Sequence, residues 1–216
     1  MKKTILSAFL SGTLLASLIT VAGMSSEALA KPMKFIVKPN QNANLVSFNS
    51  DAPIEVINGK TNDITGTIKL DDSFNFDSDH PFDISFSVNL NSVDTGISLR
   101  NEHMRDNFLE TKKYPYATYK ATSIELKDKK PDLSKAQTVR LISKGILNVH
   151  GVKKERSIPL TVHYQPATDA RKASVQVTGL FPIELEAHNI NRPEALFVKL
   201  AEKVNVTVNT TGMQME

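Results

Sequence analysis

Residues 82–90 alternate without a break: Phe82, Ile84, Phe86, Val88 and Leu90 are apolar, and Asp83, Ser85, Ser87 and Asn89 between them are polar. Successive side chains of an extended chain point to opposite faces, so this segment is a strand with one face to an apolar interior and the other to water. The same period returns along most of the chain. It carries Ile64, Gly66, Ile68 and Leu70, then Val139, Leu141, Leu147 and Val149 with the small Ser143 and Gly145 among them. It continues through Ile158, Leu160, Val162 and Tyr164, through Val175, Val177, Gly179, Phe181, Ile183 and Leu185, and ends at Val204, Val206 and Val208. Less regular extended runs occupy residues 34–38, 45–57 and 116–126, the second bending at Asp51-Ala52-Pro53 because proline cannot donate to a ladder. Asn58-Gly59 and His150-Gly151-Val152-Lys153 read as turns, residues 71–81 and 128–135 as polar loops, and residues 188–196 as a looser segment. Eight or nine amphipathic strands on short connections make an all-β fold, which stacks as a sandwich or closes as a barrel. Eight strands close around a space that side chains fill or that holds one small ligand.

Residues 93–119 break the pattern. Ile97, Met104 and Phe108 are spaced by seven and four, which puts them on one helical face, while Glu102, Arg105 and Asp106 fall elsewhere. Asp94 or Thr95 is placed to cap the start, and Pro115 forces Tyr114 out of helical geometry at the end. One short charged helix therefore interrupts the strands.

The chain opens Met1-Lys2-Lys3, runs apolar from Ile5 to Ala22, and reaches Ala28-Leu29-Ala30. A cationic start, an apolar middle and small residues at Ala-x-Ala positions predict a signal peptide over residues 1–30, cleaved after Ala30. Ser7, Ser11, Gly12, Thr13, Ser17 and Thr20 make that run a poor membrane span. The expected product, residues 31–216, is a single periplasmic or secreted domain, not membrane-spanning. With no cysteine in the chain, its core alone must hold it together. Setting aside Lys2, Lys3 and Glu27 from the 26 basic and 23 acidic residues leaves 24 and 22. That near balance speaks against a nucleic-acid partner. The local basic runs at residues 127–130 and 153–154 read as solvated strand ends or turns.

Catalytic readings find little support. Asp94-Thr95-Gly96 matches the tripeptide of aspartic proteases, which need two carboxylates sharing a proton; a single copy would need a homodimer to supply the second, and a helix cap accounts for it more simply. The sequence otherwise leaves a homodimer open. His80, His103, His150, His163 and His188 form no closely spaced pair, so no metal ligands are assigned. There is no cysteine nucleophile, no Gly-x-Ser-x-Gly elbow and no phosphate-cradling glycine loop, so neither a catalytic residue nor a cofactor is expected. An outer-membrane barrel would need aromatic girdles, and the chain has no Trp and puts Asp, Ser, Asn and Lys on the outer faces.

The segments Asp94-Thr95-Gly96, Arg100-Asn-Glu-His-Met-Arg105, Phe108-Leu109 and Tyr114-Pro-Tyr-Ala-Thr-Tyr119 together resemble the central motif of the YceI-like family of exported bacterial lipid-binding proteins. Gly145-Ile-Leu-Asn-Val-His-Gly151-Val-Lys resembles its second motif, and Phe35 with residues 46–70 its opening strands; the resemblance covers nearly all of residues 33–211. It implies an extended eight-stranded antiparallel, lipocalin-like barrel with a helix between strands near the entrance of an apolar tunnel. The implied ligands are polyisoprenoids, quinones or other long-chain lipids. It also implies that Arg100, His103, Arg105 and Phe108 lie close to a ligand head group. One departure is His188-Asn-Ile-Asn-Arg-Pro193, where many members carry an Arg-x-x-Phe-Gly turn, so one end of the cavity is expected to differ.

Alternation selects the expected tunnel lining: Phe82, Ile84, Phe86 and Val88; Tyr119; Leu147 and Val149; Leu160 and Val162; Val177, Phe181 and Ile183. Ser143, Gly145 and Gly179, facing the same way, are expected to leave room. The expected function is a non-enzymatic carrier. The rival is a close-packed β-sandwich serving as an extracytoplasmic interaction or adhesion module.

Overall fold

A computed structural model describes residues 30–51, 55–191 and 201–215. Residues 1–29 of the expected signal peptide, Ala52, Pro53 and Ile54 at the expected bend, and residues 192–196 of the looser segment lie outside the described residues.

Ten strands appear among the described residues: β1 (Pro32–Val37), β2 (Leu45–Asp51), β3 (Val56–Thr61), β4 (Ile64–Asp71), β5 (Asp83–Asn89), β6 (Tyr116–Leu126), β7 (Gln137–Val149), β8 (Val152–Gln165), β9 (Ser174–Glu184) and β10 (Lys203–Met215). All neighbours are antiparallel, in the order β1-β4-β5-β6-β7-β8-β9-β10-β2-β3, and β1 also pairs with β10. That last pairing closes the sheet. Both β1 and β2 lie along the same edge of β10, with Phe35 opposite Gln214 and Val46 opposite Val208. They therefore form one wall, interrupted at residues 38–44, and β3 with β4 form the next. Eight walls result, so the sandwich alternative is overturned and the barrel stands.

The interruption is stitched from inside. Asn44, 3% exposed, donates from Nδ2 to the Lys38 carbonyl at 2.8 Å. Its Oδ1 accepts from the Thr210 hydroxyl and the Thr211 amide, both at 3.0 Å. A buried side-chain amide replaces the ladder bonds that the excursion forfeits.

Two sequence expectations change here. Residues 45–57 are not one bent strand; β2 and β3 form a hairpin, with Asp51 opposite Val56. Nor is Asn58-Gly59 a turn. It lies inside β3, with Gly59 opposite Phe48, whose ring covers the site where a Cβ would stand. Glycine is used there for close approach rather than for a turn. The turn at His150-Gly151 is borne out, both residues having positive φ (53° and 76°) as a two-residue hairpin between twisted strands requires.

The helix is α1 (Ser98–His103), followed by one π-helical turn, Met104–Phe108. Asp94 and Thr95 do not cap it. Ile97 occupies the cap position with no side-chain bond. The pair instead binds Asn101 in the second turn: Asn101 Nδ2 donates to Asp94 Oδ1 at 2.7 Å, and the Thr95 amide donates to Asn101 Oδ1 at 2.8 Å. The Gly96 amide and then Asn101 bond the Asp94 carboxylate and hold its pKa below the ordinary value. The Asp-Thr-Gly tripeptide is thus a structural knot at the foot of the helix.

Candidate functional site

Inward side chains of all eight walls surround a cavity of about 610 Å³ running the length of the barrel. This volume falls within the range of small-molecule sites. At one end, Met33, Phe35, Ile68, Val175 and Val177 pack with Phe74 and Leu133 from the loops. At the other, Leu147, Val149, Ile183, Leu185, Ile190 and Val204 pack with Phe108 and Leu109 from the helical segment. Ile97 and Leu99 line the cavity yet are 51% and 60% exposed, so the mouth opens beside the start of α1.

Most of the expected lining is on the wall: Ile84, Phe86 and Val88; Tyr119; Leu147 and Val149; Leu160 and Val162; Val177, Phe181 and Ile183. Phe82 is not. It precedes β5 and packs edge-on against Phe76, their ring centres 5.6 Å apart, and Phe76 is the ring that reaches the cavity. Alternation also passed over Phe74, Phe76, Pro131 and Leu133, which reach the wall from polar loops, and Phe48 and Ile57 of the misread hairpin. The signal for the loop residues was present, since aromatic rings in otherwise polar loops need somewhere to pack.

The small inward residues do not simply leave gaps. A Cβ on Gly145 would stand 2.7 Å from the Tyr119 ring, and one on Gly179 would stand 2.7 Å from Leu160. Neighbouring side chains already occupy that space. Tyr119, opposite Leu147, extends along β7 across Gly145 until its hydroxyl meets Ser143 Oγ at 2.7 Å. Burial pushes the Tyr119 phenol pKa up.

Of the four residues expected near a head group, Arg100, His103 and Phe108 are on the wall and Arg105 is not. Arg100 has its charge engaged: Nη1 donates to Glu55 Oε1 at 2.7 Å, and Nε and Nη2 bond the Thr95 hydroxyl and carbonyl, each at 3.0 Å. This clamp joins α1 to the β2–β3 hairpin. Glu110, just past the π-helical turn, makes a second clamp by accepting from His150 Nε2 at 2.7 Å. The other ring nitrogen of His150 lies 3.1 Å from the His188 carbonyl. His188, fully buried, faces the Val149 and Val152 carbonyls with Nδ1 at 3.3 and 3.2 Å, so Nδ1 carries the proton and Nε2 is left without a partner. Its burial pushes its pKa below the ordinary value. The described part of the divergent segment thus braces the β7–β8 turn and contributes Ile190 to the cavity wall. No cluster of histidine and carboxylate side chains suited to a metal ion occurs among the described residues.

A comparison with solved structures finds the same architecture elsewhere. A polyisoprenoid binding domain from Saccharophagus degradans implicated in plant cell wall breakdown superposes with a TM-score of 0.61 at 20% identity, covering 86% of this chain and all of that one. BcnA of Burkholderia cenocepacia superposes with a TM-score of 0.58 at 18% identity, covering 78% and 95%. Among curated proteins, Protein YceI of Escherichia coli O157:H7 is 34% identical over 85 residues, which is 38% of this chain and 44% of that protein. Protein YceI of Salmonella arizonae is 33% identical over the same length. The chain therefore matches less than half the length of these relatives. Residues 38–212 match the profile of the YceI-like domain, which takes in both motifs, the helix and nearly every wall of the barrel. This chain belongs to the YceI-like family.

Proposed function

We propose that this protein is a non-enzymatic carrier or store for a long-chain apolar or amphipathic molecule, a polyisoprenoid, quinone or similar lipid, held in the barrel lumen outside the cytoplasmic membrane. The observation that carries this reading is the elongated barrel cavity, walled by aliphatic and aromatic side chains and opening between the exposed Ile97 and Leu99. A chain that gives up roughly 400 Å² of apolar surface on entering gains about 10 kcal/mol before the costs of immobilisation, at ~25 cal/mol per Å². Such affinity needs few polar contacts. The polyisoprenoid-binding description of the Saccharophagus degradans domain supports the ligand class. The cationic, apolar and Ala-x-Ala succession over residues 1–30 supports export.

The test is organic extraction and mass spectrometry of protein purified from its native host without detergent. A long-chain lipid at near-stoichiometric yield is expected. A protein that comes out empty and fails to take up any long-chain lipid from vesicles would sink the reading. The same mass spectrum tests export, with a chain starting at Lys31 as the expected product.

A further inference from the structure

Far from its mouth, the lumen contains a joined pair of hydroxyls, Tyr119 and Ser143, 2.7 Å apart. Ser143 is the central residue of β7 (Gln137–Val149), six positions from either end. At about 3.3 Å per residue that is roughly 20 Å along the strand, and a tilt of about 40° makes it roughly 15 Å of depth below the Val149 rim. The other β7 residues on the cavity wall, Val139, Leu141, Leu147 and Val149, are apolar.

Two hydroxyls joined by one hydrogen bond have one proton left over. Neither Tyr119 nor Ser143 has another side-chain partner among the described residues. Ser143 is 1% exposed, whereas Tyr119 is only partly buried and lines the cavity. If Tyr119 donates to Ser143, the spare proton is sealed behind the ring with no acceptor, which costs free energy. If Ser143 donates to Tyr119, the spare proton is the phenolic one, and only something inside the lumen can accept it. The bond received from Ser143 also polarises the phenol and strengthens it as a donor.

At the mouth the situation is reversed. The Arg100 guanidinium already faces Glu55 and both oxygens of Thr95. An anionic head group would have to displace Glu55 to pair with Arg100.

We propose that the Tyr119–Ser143 pair is a ligand-reading site that donates one hydrogen bond, deep in the barrel, to a neutral oxygen acceptor on the bound chain. The ligand class is a long-chain lipid bearing a quinone, ketone, ester or hydroxyl oxygen, as opposed to a bare hydrocarbon or a lipid recognised by an anionic head at the mouth. The inference rests on the carrier reading above and sharpens it. Ser143 is a positioning residue, because its hydroxyl acts through Tyr119.

The experiment is competition for the lumen with Nile red as reporter, using ubiquinone and the hydrocarbon squalene as competitors. The proteins are wild type, Tyr119→Phe and the double variant Tyr119→Phe with Ser143→Ala. The double variant removes both hydroxyls and leaves no orphaned partner, so it keeps the barrel folded even where the single one is weakened. Loss of one buried hydrogen bond predicts about a three- to tenfold weaker competition by ubiquinone in both variants, with squalene unchanged within about twofold. Equal losses for the two competitors, or no loss for ubiquinone, would overturn the inference while leaving the carrier reading intact. If neither competitor displaces Nile red from the wild type, the carrier reading fails and takes this inference with it.

Discussion

Replacing Asn44 by alanine tests how the barrel is closed. Asn44 is not part of the cavity wall, but it holds the place where the β1–β2 wall is interrupted. The substitution deletes three hydrogen bonds, to the Lys38 carbonyl, the Thr210 hydroxyl and the Thr211 amide. At ~1 kcal/mol net for each bond, the loss is about 3 kcal/mol. Thr210 is fully buried, so its hydroxyl finds no water in compensation. For a domain of this length, such a loss lowers the melting temperature by roughly 6–12 °C. Urea denaturation followed by circular dichroism measures it, with Thr210→Val as the second arm of a double-mutant cycle. Thr210→Val alone removes the Asn44–Thr210 bond and the polar group together, so its cost is smaller. Combined with Asn44→Ala it should add about 1 kcal/mol less than its own separate effect, since the bond is already gone. A loss under ~0.5 kcal/mol for Asn44→Ala, or strict additivity in the cycle, would refute the role of Asn44 as a stitch.

Two further predictions concern the mouth and the pH response. Arg100→Ala unties α1 from the β2–β3 hairpin; because Arg100 and Glu55 are partly exposed, the stability cost stays below about 1 kcal/mol, while release of a bound lipid to vesicles, followed by stopped-flow fluorescence, becomes several-fold faster. An unchanged release rate would show that the clamp does not gate the mouth. His188 is held neutral by burial, with a folded pKa below its unfolded value of 6.5, so its contribution is present above pH 6.5 and is lost as pH falls towards the depressed value. His80 runs the other way: the Asp71 carboxylate bonded to its ring raises its pKa, giving stability that is present below pH 6.5 and lost as pH rises through the folded value. The His80→Gln variant should therefore lose urea resistance more steeply than wild type between pH 7 and pH 5; a shallower slope would contradict the assignment.

The strands were legible wherever one face meets the lumen and the other meets water, because the period-2 pattern is then enforced at each residue. Residues 82–90 and 175–185 show this most cleanly, and β5 and β9 fall on them. The hairpin at residues 45–61 was not legible, for a physical reason. Gly59 serves there as a seat for the Phe48 ring, and a glycine needed for close approach looks the same in sequence as a glycine needed for a turn. The helix was legible from its seven-and-four spacing, but its cap was not, since Asp94 and Thr95 spend their hydrogen bonds on Asn101. Inward residues on regular strands were largely recoverable as cavity wall. Alternation does not find those on loops, such as Phe74 and Leu133, because loops carry no period to read.

The glycines bear on the size of the lumen as well as on the reading of the chain. Phe48 lies over Gly59, Phe86 over Gly66 and Tyr119 over Gly145, in each case a ring on one strand covering a glycine on its neighbour. A ring laid along the wall takes up less of the lumen than one projecting towards the axis, so these pairs keep aromatic surface inside while leaving the centre open. The arrangement explains how a barrel whose inward faces carry so many large side chains still encloses about 610 Å³. It also explains why Tyr119 reaches Ser143 at all. Only because residue 145 lacks a side chain can the ring run along β7 and carry its hydroxyl to the middle of the strand. The same packing that opens the lumen therefore also brings the Tyr119 hydroxyl to Ser143.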